Sequence, residues 1–117
     1  MWICDRGDHS DWRVCFVGDS FGQGVGDTTG LGWVGRVAAG AHAWDAGLTA
    51  YNLGVRRDTS ADIAIRWQAE CEARLPAEGV EAGVVFSFDA NDTTVEDGRR
   101  RVPEEQSLEY LEQILTI

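Results

Sequence analysis

The stretch Val14-Cys15-Phe16-Val17 runs directly into Gly18-Asp19-Ser20. Four consecutive apolar residues with no polar alternation are typical of a strand that is buried on both faces of a parallel sheet. A glycine-rich loop follows as far as Gly32. Behind that loop, apolar residues at helical spacing predict a first helix (Val34, Val37, Ala38 and Ala41). This part of the chain therefore predicts the first strand–loop–helix unit of an α/β protein.

The same alternation continues along the rest of the chain. Residues 48–53 and 83–88 predict a second and a third strand. Residues 58–62 resemble a helix start with Thr59 or Ser60 as the cap. Pro103, followed by two acidic residues, predicts the start of a third helix. We expect each of these two helices to bury an apolar stripe. The stripe on the first helix, which Pro76 ends, is Ile63, Trp67, Cys71 and Leu75. The stripe on the second helix is Leu108, Leu111, Ile114 and Leu115.

The element order βαβαβα predicts a parallel sheet with helices on both faces. The fold class is a three-layer, flavodoxin-like α/β/α sheet, truncated to about three strands and three helices, with residues 14–17 central in the order 2-1-3. Strand three then forms an open edge, and we expect self-association through it. Residues 1–12 are acidic and broken by charges, so we interpret them as an extension that precedes a domain over residues 13–117.

Composition narrows the class of protein. The 117 residues fit a single domain, and 20 acidic against 10 basic residues give a net charge of −10, which argues against a nucleic-acid partner. The basic run 99–101 follows two acidic residues and is expected in a polar loop. No apolar run is long enough to span a membrane. Three cysteines without CxxC spacing and two scattered histidines predict no metal site, buried thiols at Cys15 and Cys71, and a cytoplasmic location.

In open α/β sheets the ligand site lies beyond the carboxyl ends of the strands. Ser20 follows the first strand directly, where backbone N–H groups could stabilise a developing oxyanion, so it is a candidate nucleophile. On its own, Gly-Asp-Ser is more often a turn with a capping serine. The glycines of the loop raise phosphate binding as an alternative, but Asp27 breaks the G-x-G-x-x-G spacing and the loop has no lysine. Nucleotide binding is therefore disfavoured.

Three blocks of sequence, each following a predicted strand, carry a family resemblance. They are VGDSFG with GLGWV at residues 17–22 and 30–34, YNLGVRRDTS at 51–60, and VFSFDANDTT at 85–94. Together, and in this order, they resemble the GDSL or SGNH hydrolases over about residues 13–117.

The resemblance implies roles for individual residues. Ser20 would be the nucleophile, and the backbone N–H groups of Ser20 and Gly54 with the side-chain amide of Asn91 would form the oxyanion hole. Asp19 and Asp92 would support them. The implied activity is hydrolysis of a small acyl ester or thioester through an acyl-enzyme at Ser20, without a cofactor.

Two departures from the family stand out. Asp89 occupies a position where the family has glycine, and a carboxylate there would oppose an oxyanion. The family's Asp-x-x-His segment has no counterpart, and neither His9 nor His42 matches it. Taken singly, Gly54 could simply end a strand, and residues 91–92 could form an Asx-turn.

Two alternatives to a serine hydrolase that supplies its own histidine remain open. One is a catalytically inactive, truncated paralogue that serves as an acyl-binding or interaction module. The other is an enzyme whose histidine comes from another chain.

Overall fold

The computed structural model describes residues 11–44, 46–75 and 81–116. The first six elements are β1 (Trp12–Gly18), α1 (Ser20–Gln23), α2 (Gly32–Ala43), β2 (Leu48–Gly54), α3 (Ser60–Arg74) and β3 (Glu81–Ser87). A 3-10 turn (Ala90–Thr93), a small hairpin of β4 (Val95–Glu96) and β5 (Arg99–Arg100), and α4 (Glu104–Leu115) complete the described chain. The predicted extension and Cys4, His9 and Pro76 lie outside the described residues, so the domain boundary stays a prediction.

The sheet has β1 at its centre, with β2 and β3 parallel to it on either side. This confirms the predicted order 2-1-3 and the α/β class. In the register, Gly18 at the end of β1 lies opposite Gly54 of β2 and Ser87 of β3. The loops that leave the three strands therefore begin side by side at one edge of the sheet.

The core lies between β1 and α3. Its buried members include the apolar stripe predicted on α3 (the cluster is Cys15, Val17, Leu53, Ile63, Cys71 and Ile114, with Trp67 and Leu75 partly buried against it). Cys15 and Cys71 are both buried and unoxidised. Burial, together with the neighbouring Cys15 thiol, raises the pKa of Cys71 to about 12, so this thiol is inert packing material.

The start of α3 follows the prediction closely. Thr59 is the N-cap, and its hydroxyl oxygen accepts from the backbone N–H of Asp62 at 3.4 Å. The Asp62 carboxylate accepts in return from the Thr59 N–H at 3.0 Å. This capping box satisfies N–H groups that would otherwise be unpaired at the helix start.

The prediction of a buried apolar face on α4 is wrong in part, because Ile114 is buried but Leu108, Leu111 and Leu115 are 61%, 39% and 68% exposed. The periodicity of a sequence shows which face of a helix is apolar, but whether that face is buried depends on what packs against it. Among the described residues β3 is the edge strand of the sheet and pairs only with β1, so no further strand lies beside it next to α4.

The open β3 edge matches the expected edge strand, and self-association through it stays a prediction. No helix in the described ranges is long and apolar enough to cross a membrane.

Candidate active site

Ser20 begins a single helical turn immediately after β1. The preceding Asp19 is buried, and its Oδ1 accepts from the backbone N–H of Phe21 at 3.0 Å, capping the turn. The Ser20 carbonyl accepts from the N–H groups of Gly24 and Val25, both at 3.0 Å. The Ser20 hydroxyl itself has no hydrogen-bond partner within the described chain. The backbone of Ser20 is thus held firmly while its side-chain oxygen remains available.

Gly54 lies against the same turn. Its neighbour Val55 donates its N–H to the carbonyl of Gly18 at 3.1 Å. A Cβ placed on Gly54 would lie 2.8 Å from the carbonyl oxygen of Asp19 and would overlap the backbone of Gln23. The end of β2 and the Ser20 turn therefore meet at van der Waals distance, which only a residue without a side chain permits.

The N–H of Gly54, expected to point into an oxyanion hole, is already engaged. It donates to Oδ1 of Asn52 at 3.0 Å, and Nδ2 of Asn52 donates to the carbonyl of Gly22 at 3.0 Å. Asn52 therefore ties β2 to the Ser20 turn, and the Gly54 donor becomes available only if this bond opens. Asn52 lies within the second sequence block, and no local pattern marked it as a functional residue.

We expect Gly54→Ala to destabilise the protein by about 2 kcal/mol, because the added methyl forces β2 and the Ser20 turn apart. The matched control is Gly40→Ala within α2, where an added Cβ meets nothing within 4 Å. That change should stabilise by up to about 1 kcal/mol, through helix propensity. Urea unfolding of both variants measures the difference, and equal midpoints would contradict the close packing at Gly54.

Asn91 lies in the 3-10 turn that follows β3. Its Nδ2 donates to the carbonyl of Asp58 at 2.8 Å. A carboxamide nitrogen carries two hydrogens, so a second donor remains on the same group. This hydrogen bond holds Asn91 against the loop that follows β2, at the same edge of the sheet as Gly18.

Arg66 of α3 joins these loops, and its role was not predicted from the sequence. Its Nε donates to the Asp58 carboxylate at 2.6 Å, its Nη2 to the Gly18 carbonyl at 3.0 Å, and its Nη1 to Glu70 at 2.8 Å. One guanidinium thus ties the end of β1 to the Asp58 carboxylate, and the Asp58 carbonyl holds Asn91. Only the Arg66–Glu70 pair, four residues apart on one helix, was visible as a sequence pattern.

Asp92 is a buried carboxylate that fastens the third loop to two helices. It accepts from the backbone N–H of Ser60 at 2.7 Å, from the Ser60 hydroxyl at 2.5 Å and from the Ser107 hydroxyl at 2.6 Å. Burial by itself would raise the pKa of Asp92, but the hydrogen bonds from Ser107 and Ser60 outweigh it, and the net pKa is lowered. These contacts make Asp92 a structural link between the third loop and the starts of α3 and α4, and the supporting role that the family resemblance implies for it stays a prediction.

Asp89 occupies a backbone conformation that suits glycine. Its φ is 108°, in the region that L-residues rarely adopt. Burial, and then the nearby Asp92 carboxylate, raises the pKa of Asp89, while Arg100 opposes the shift. The family's glycine at this position therefore has a physical explanation, and the aspartate in this chain is unfavourable in both backbone and charge.

Replacing Asp89 with glycine should stabilise the protein by about 1 kcal/mol, since glycine accepts the positive φ and the change removes a carboxylate beside Asp92. The control is Ala90→Gly, one residue along and without a positive φ. That change should destabilise by about 0.5–1 kcal/mol. Thermal unfolding of both variants provides the measurement, and a lower melting temperature for Asp89→Gly would contradict this account.

His42 does not lie near Ser20. The start of α2 lies at the Ser20 edge, where a Cβ on Gly32 would be 2.7 Å from the Cα of Gly24. His42 is in the last turn of that helix, ten residues further on, or about 15 Å at 1.5 Å per residue. Direct proton transfer between Ser20 and His42 is therefore excluded. Among the described residues, no cluster of histidine, cysteine and carboxylate side chains could hold a metal ion.

The assembled parts define a class of site: an unengaged serine hydroxyl and candidate amide donors at the carboxyl edge of a parallel α/β sheet. Comparison of the sequence finds no matching family model and no matching curated protein. Comparison of the structure finds the crystal structure of AlinE4, described as an SGNH-hydrolase family esterase. The TM-score is 0.69 and the sequence identity 20%, over 91% of this chain and 52% of that one.

Two mutant structures of the same esterase match equally well, with a TM-score of 0.69 at 20% and 19% identity. The resemblance to the SGNH hydrolases is thus confirmed at the level of the fold. The chain spans about half the length of these structures.

Proposed function

We propose that this chain carries the nucleophile and oxyanion-stabilising part of a serine ester hydrolase of the SGNH type. The observation that carries the proposal is the convergence of the three sequence blocks at one sheet edge, with the Ser20 hydroxyl unengaged among the described residues. The similarity of the fold to an SGNH-hydrolase family esterase supports it. The substrate class is a small acyl ester or thioester, and the proposed mechanism uses no cofactor.

In the proposed reaction, Ser20 Oγ attacks the carbonyl carbon of the ester. A C–O bond forms, the carbonyl electron pair moves onto oxygen, and the serine proton passes to a general base. The N–H of Ser20 and the second amide hydrogen of Asn91 stabilise the oxyanion. The bond to the leaving alcohol then breaks, and the base returns the proton to that alcohol. Water attacks the acyl-enzyme, the base takes a proton from the water and returns it to Ser20 Oγ as the acyl C–O bond breaks, and the carboxylic acid is released.

The general base is the part of this mechanism that the described residues do not supply. Asp19 precedes the nucleophile, but its carboxylate caps the Ser20 turn through Phe21. His42 lies in the last turn of α2, about 15 Å along the helix from Gly32, which packs against the loop that follows Ser20. We propose that an Asp-x-x-His segment outside these 117 residues completes the site, as the family resemblance implies.

A second candidate function is a catalytically inactive module that binds an acyl group or a partner. Two observations favour it: the Asp89 carboxylate near Asp92 on the loop that carries Asn91, and the Gly54 N–H engaged by Asn52. Both would weaken an oxyanion hole. A histidine donated by another chain is the remaining alternative.

Ester hydrolysis by the natural full-length protein tests the proposal. We expect turnover of p-nitrophenyl acetate to fall by about 10⁶ in Ser20→Ala. The control is Ser87→Ala, which removes another serine at the same sheet edge and should leave turnover within about twofold. Equal activity of Ser20→Ala and the unmodified protein would refute the proposed nucleophile, and a full-length protein without activity would favour the inactive module.

A further inference from the structure

Half of the arginines in this chain occupy two neighbouring loops. Of the 10 basic residues, all of them arginine, two follow β2 and three lie in or after β5 (Arg56, Arg57, Arg99, Arg100 and Arg101). Four of these five are exposed, and Arg101 is partly buried. The whole chain carries a net charge of −10, so this cationic cluster, as we call the five residues, is a strong local exception.

The two loops are held together by their own contacts. Arg57 pairs with the Glu96 carboxylate, Arg101 Nη1 donates to the carbonyl of Arg57 at 2.7 Å, and Arg101 Nε lies 3.7 Å from Glu96. The acidic residues of these two loops are Asp58, Glu96 and Asp97, and the Asp58 carboxylate is paired with Arg66 of α3. Two carboxylates therefore remain against the five arginines. The guanidinium groups of Arg56, Arg99 and Arg100 have no hydrogen bond or ion pair in the part of the chain that the structure describes. All three are exposed to solvent, and among them Arg100 acts electrostatically on the Asp89 carboxyl.

The cationic cluster borders the candidate active site. Arg56 comes two residues after Gly54, and the hairpin that carries Arg100 comes a few residues after Asn91. The charge of Arg100 acts on the Asp89 carboxyl, and Val102 beyond the hairpin donates its N–H to the carbonyl of Asp92 at 3.2 Å. The cluster is therefore anchored to the loop that bears Asn91.

We propose that the cationic cluster is an anion-binding subsite that selects substrates carrying a carboxylate or phosphate group away from the reacting carbonyl. This inference rests on the proposed ester hydrolase function and names its substrate class: anionic esters. A chain with a net charge of −10 repels anionic substrates at long range. A local excess of guanidinium groups beside the candidate active site makes the electrostatic potential there favourable to an anion. Guanidinium also matches carboxylate and phosphate oxygens in a planar, two-point geometry.

Binding, measured by NMR titration of the ¹⁵N-labelled chain, tests the subsite without relying on catalysis. The probes are inorganic phosphate, monomethyl succinate as an anionic ester, and dimethyl succinate as its neutral counterpart. We expect both anions to shift the backbone amides of residues 56–57 and 99–101, and the anionic ester to shift those of Gly54 and Asn91 as well. The neutral ester should leave the arginine amides unmoved. The tighter of the two anions identifies phosphate or carboxylate as the preferred group.

The variant for this test is Arg56→Gln combined with Arg100→Gln, which removes two exposed charges outside the core. It should raise both anion dissociation constants about tenfold. The control is Arg13→Gln with Arg36→Gln, the same charge change at residues paired elsewhere, with Asp11 and Asp27. It should change the constants by less than about twofold. Absence of saturable binding, equal weakening by the two double variants, or equal binding of the neutral ester would overturn the subsite.

Failure of the subsite is distinguishable from failure of the proposed function. Ser20→Ala should leave anion affinity unchanged even while it abolishes hydrolysis by the full-length protein. Ser20-dependent hydrolysis without anion selectivity would overturn the subsite alone. Anion binding by a protein without Ser20-dependent hydrolysis would overturn the hydrolase function and, with it, the assignment of the bound anion as a substrate group.

Discussion

The 117-residue chain alone should hydrolyse p-nitrophenyl acetate at close to the background rate, and Ser20→Ala should leave that rate unchanged. A serine hydroxyl is a weak nucleophile until a base removes its proton. Loss of the base from a serine–histidine–aspartate triad costs on the order of 10⁶ in turnover and leaves about 10³ over water from the oxyanion hole and binding. Here the Asp89 charge and the Asn52–Gly54 hydrogen bond erode that remainder.

The measurement is the initial rate of ester hydrolysis over a range of ester concentrations. The control is Ser87→Ala, which substitutes another serine at the carboxyl edge of the sheet. Brisk hydrolysis that Ser20→Ala abolishes would show that a base has been missed within the 117 residues. His42→Ala would then be the first variant to examine. Because His42 lies at the far end of α2, its participation would require a rearrangement of that helix.

Asp92→Ala should lower the free energy of unfolding by about 3–5 kcal/mol. The substitution removes a fully buried carboxylate that accepts three hydrogen bonds from Ser60 and Ser107. A buried donor left without its acceptor carries the full desolvation cost, and hydrogen bonds to charged groups are worth about 1.5–3 kcal/mol each. The variant also detaches the Asn91 loop from the starts of α3 and α4. A loss of this size is a large fraction of the stability of a small domain.

Urea unfolding followed by circular dichroism measures this loss. The control Asp97→Asn changes an exposed residue at a φ of 53°, which asparagine tolerates, and should shift the unfolding free energy by less than about 0.5 kcal/mol. A loss below about 1 kcal/mol in Asp92→Ala would contradict the structural role of this carboxylate.

The lowered pKa of Asp92 also gives this residue a signed pH dependence. The contribution of Asp92 to the free energy of unfolding is fully present at a pH above the pKa of the unfolded state, about 3.9. It is lost as the pH falls through the lower pKa of the folded state. Asp89 acts in the opposite direction, because its pKa is raised. Its neutral form is favoured in the folded state, and the resulting stability declines as the pH rises through the folded value.

Much of the scaffold could be predicted because its signals are periodic or local. The apolar run 14–17 predicts a central strand, and the stripe from Ile63 to Leu75 predicts the buried face of α3. Thr59 and Asp62 lie three residues apart, so the helix start was visible as a sequence pattern. The three strand ends, and so the loops that carry Ser20, Gly54 and Asn91, follow from parallel strand order alone.

The features that could not be predicted depend on distant residues or on very short elements. The Ser20 turn and the β4–β5 hairpin are too short to show a period. Ser60 and Asp92 are 32 residues apart, and Arg66 reaches Gly18 across 48 positions, so no local pattern reveals these contacts. The exposed apolar face of α4 depends on what packs against the β3 edge, which periodicity does not report.

Fluorophosphonate labelling of the natural full-length protein, mapped by mass spectrometry of its peptides, tests the central claim most directly. Serine attacks the phosphorus, fluoride leaves, and a stable phosphonyl ester marks the nucleophile. We predict a single modified residue, Ser20, with labelling lost in Ser20→Ala and retained in Ser87→Ala. A phosphonyl group on any other residue, or a full-length protein that is not labelled, would contradict the assignment of Ser20 as the nucleophile.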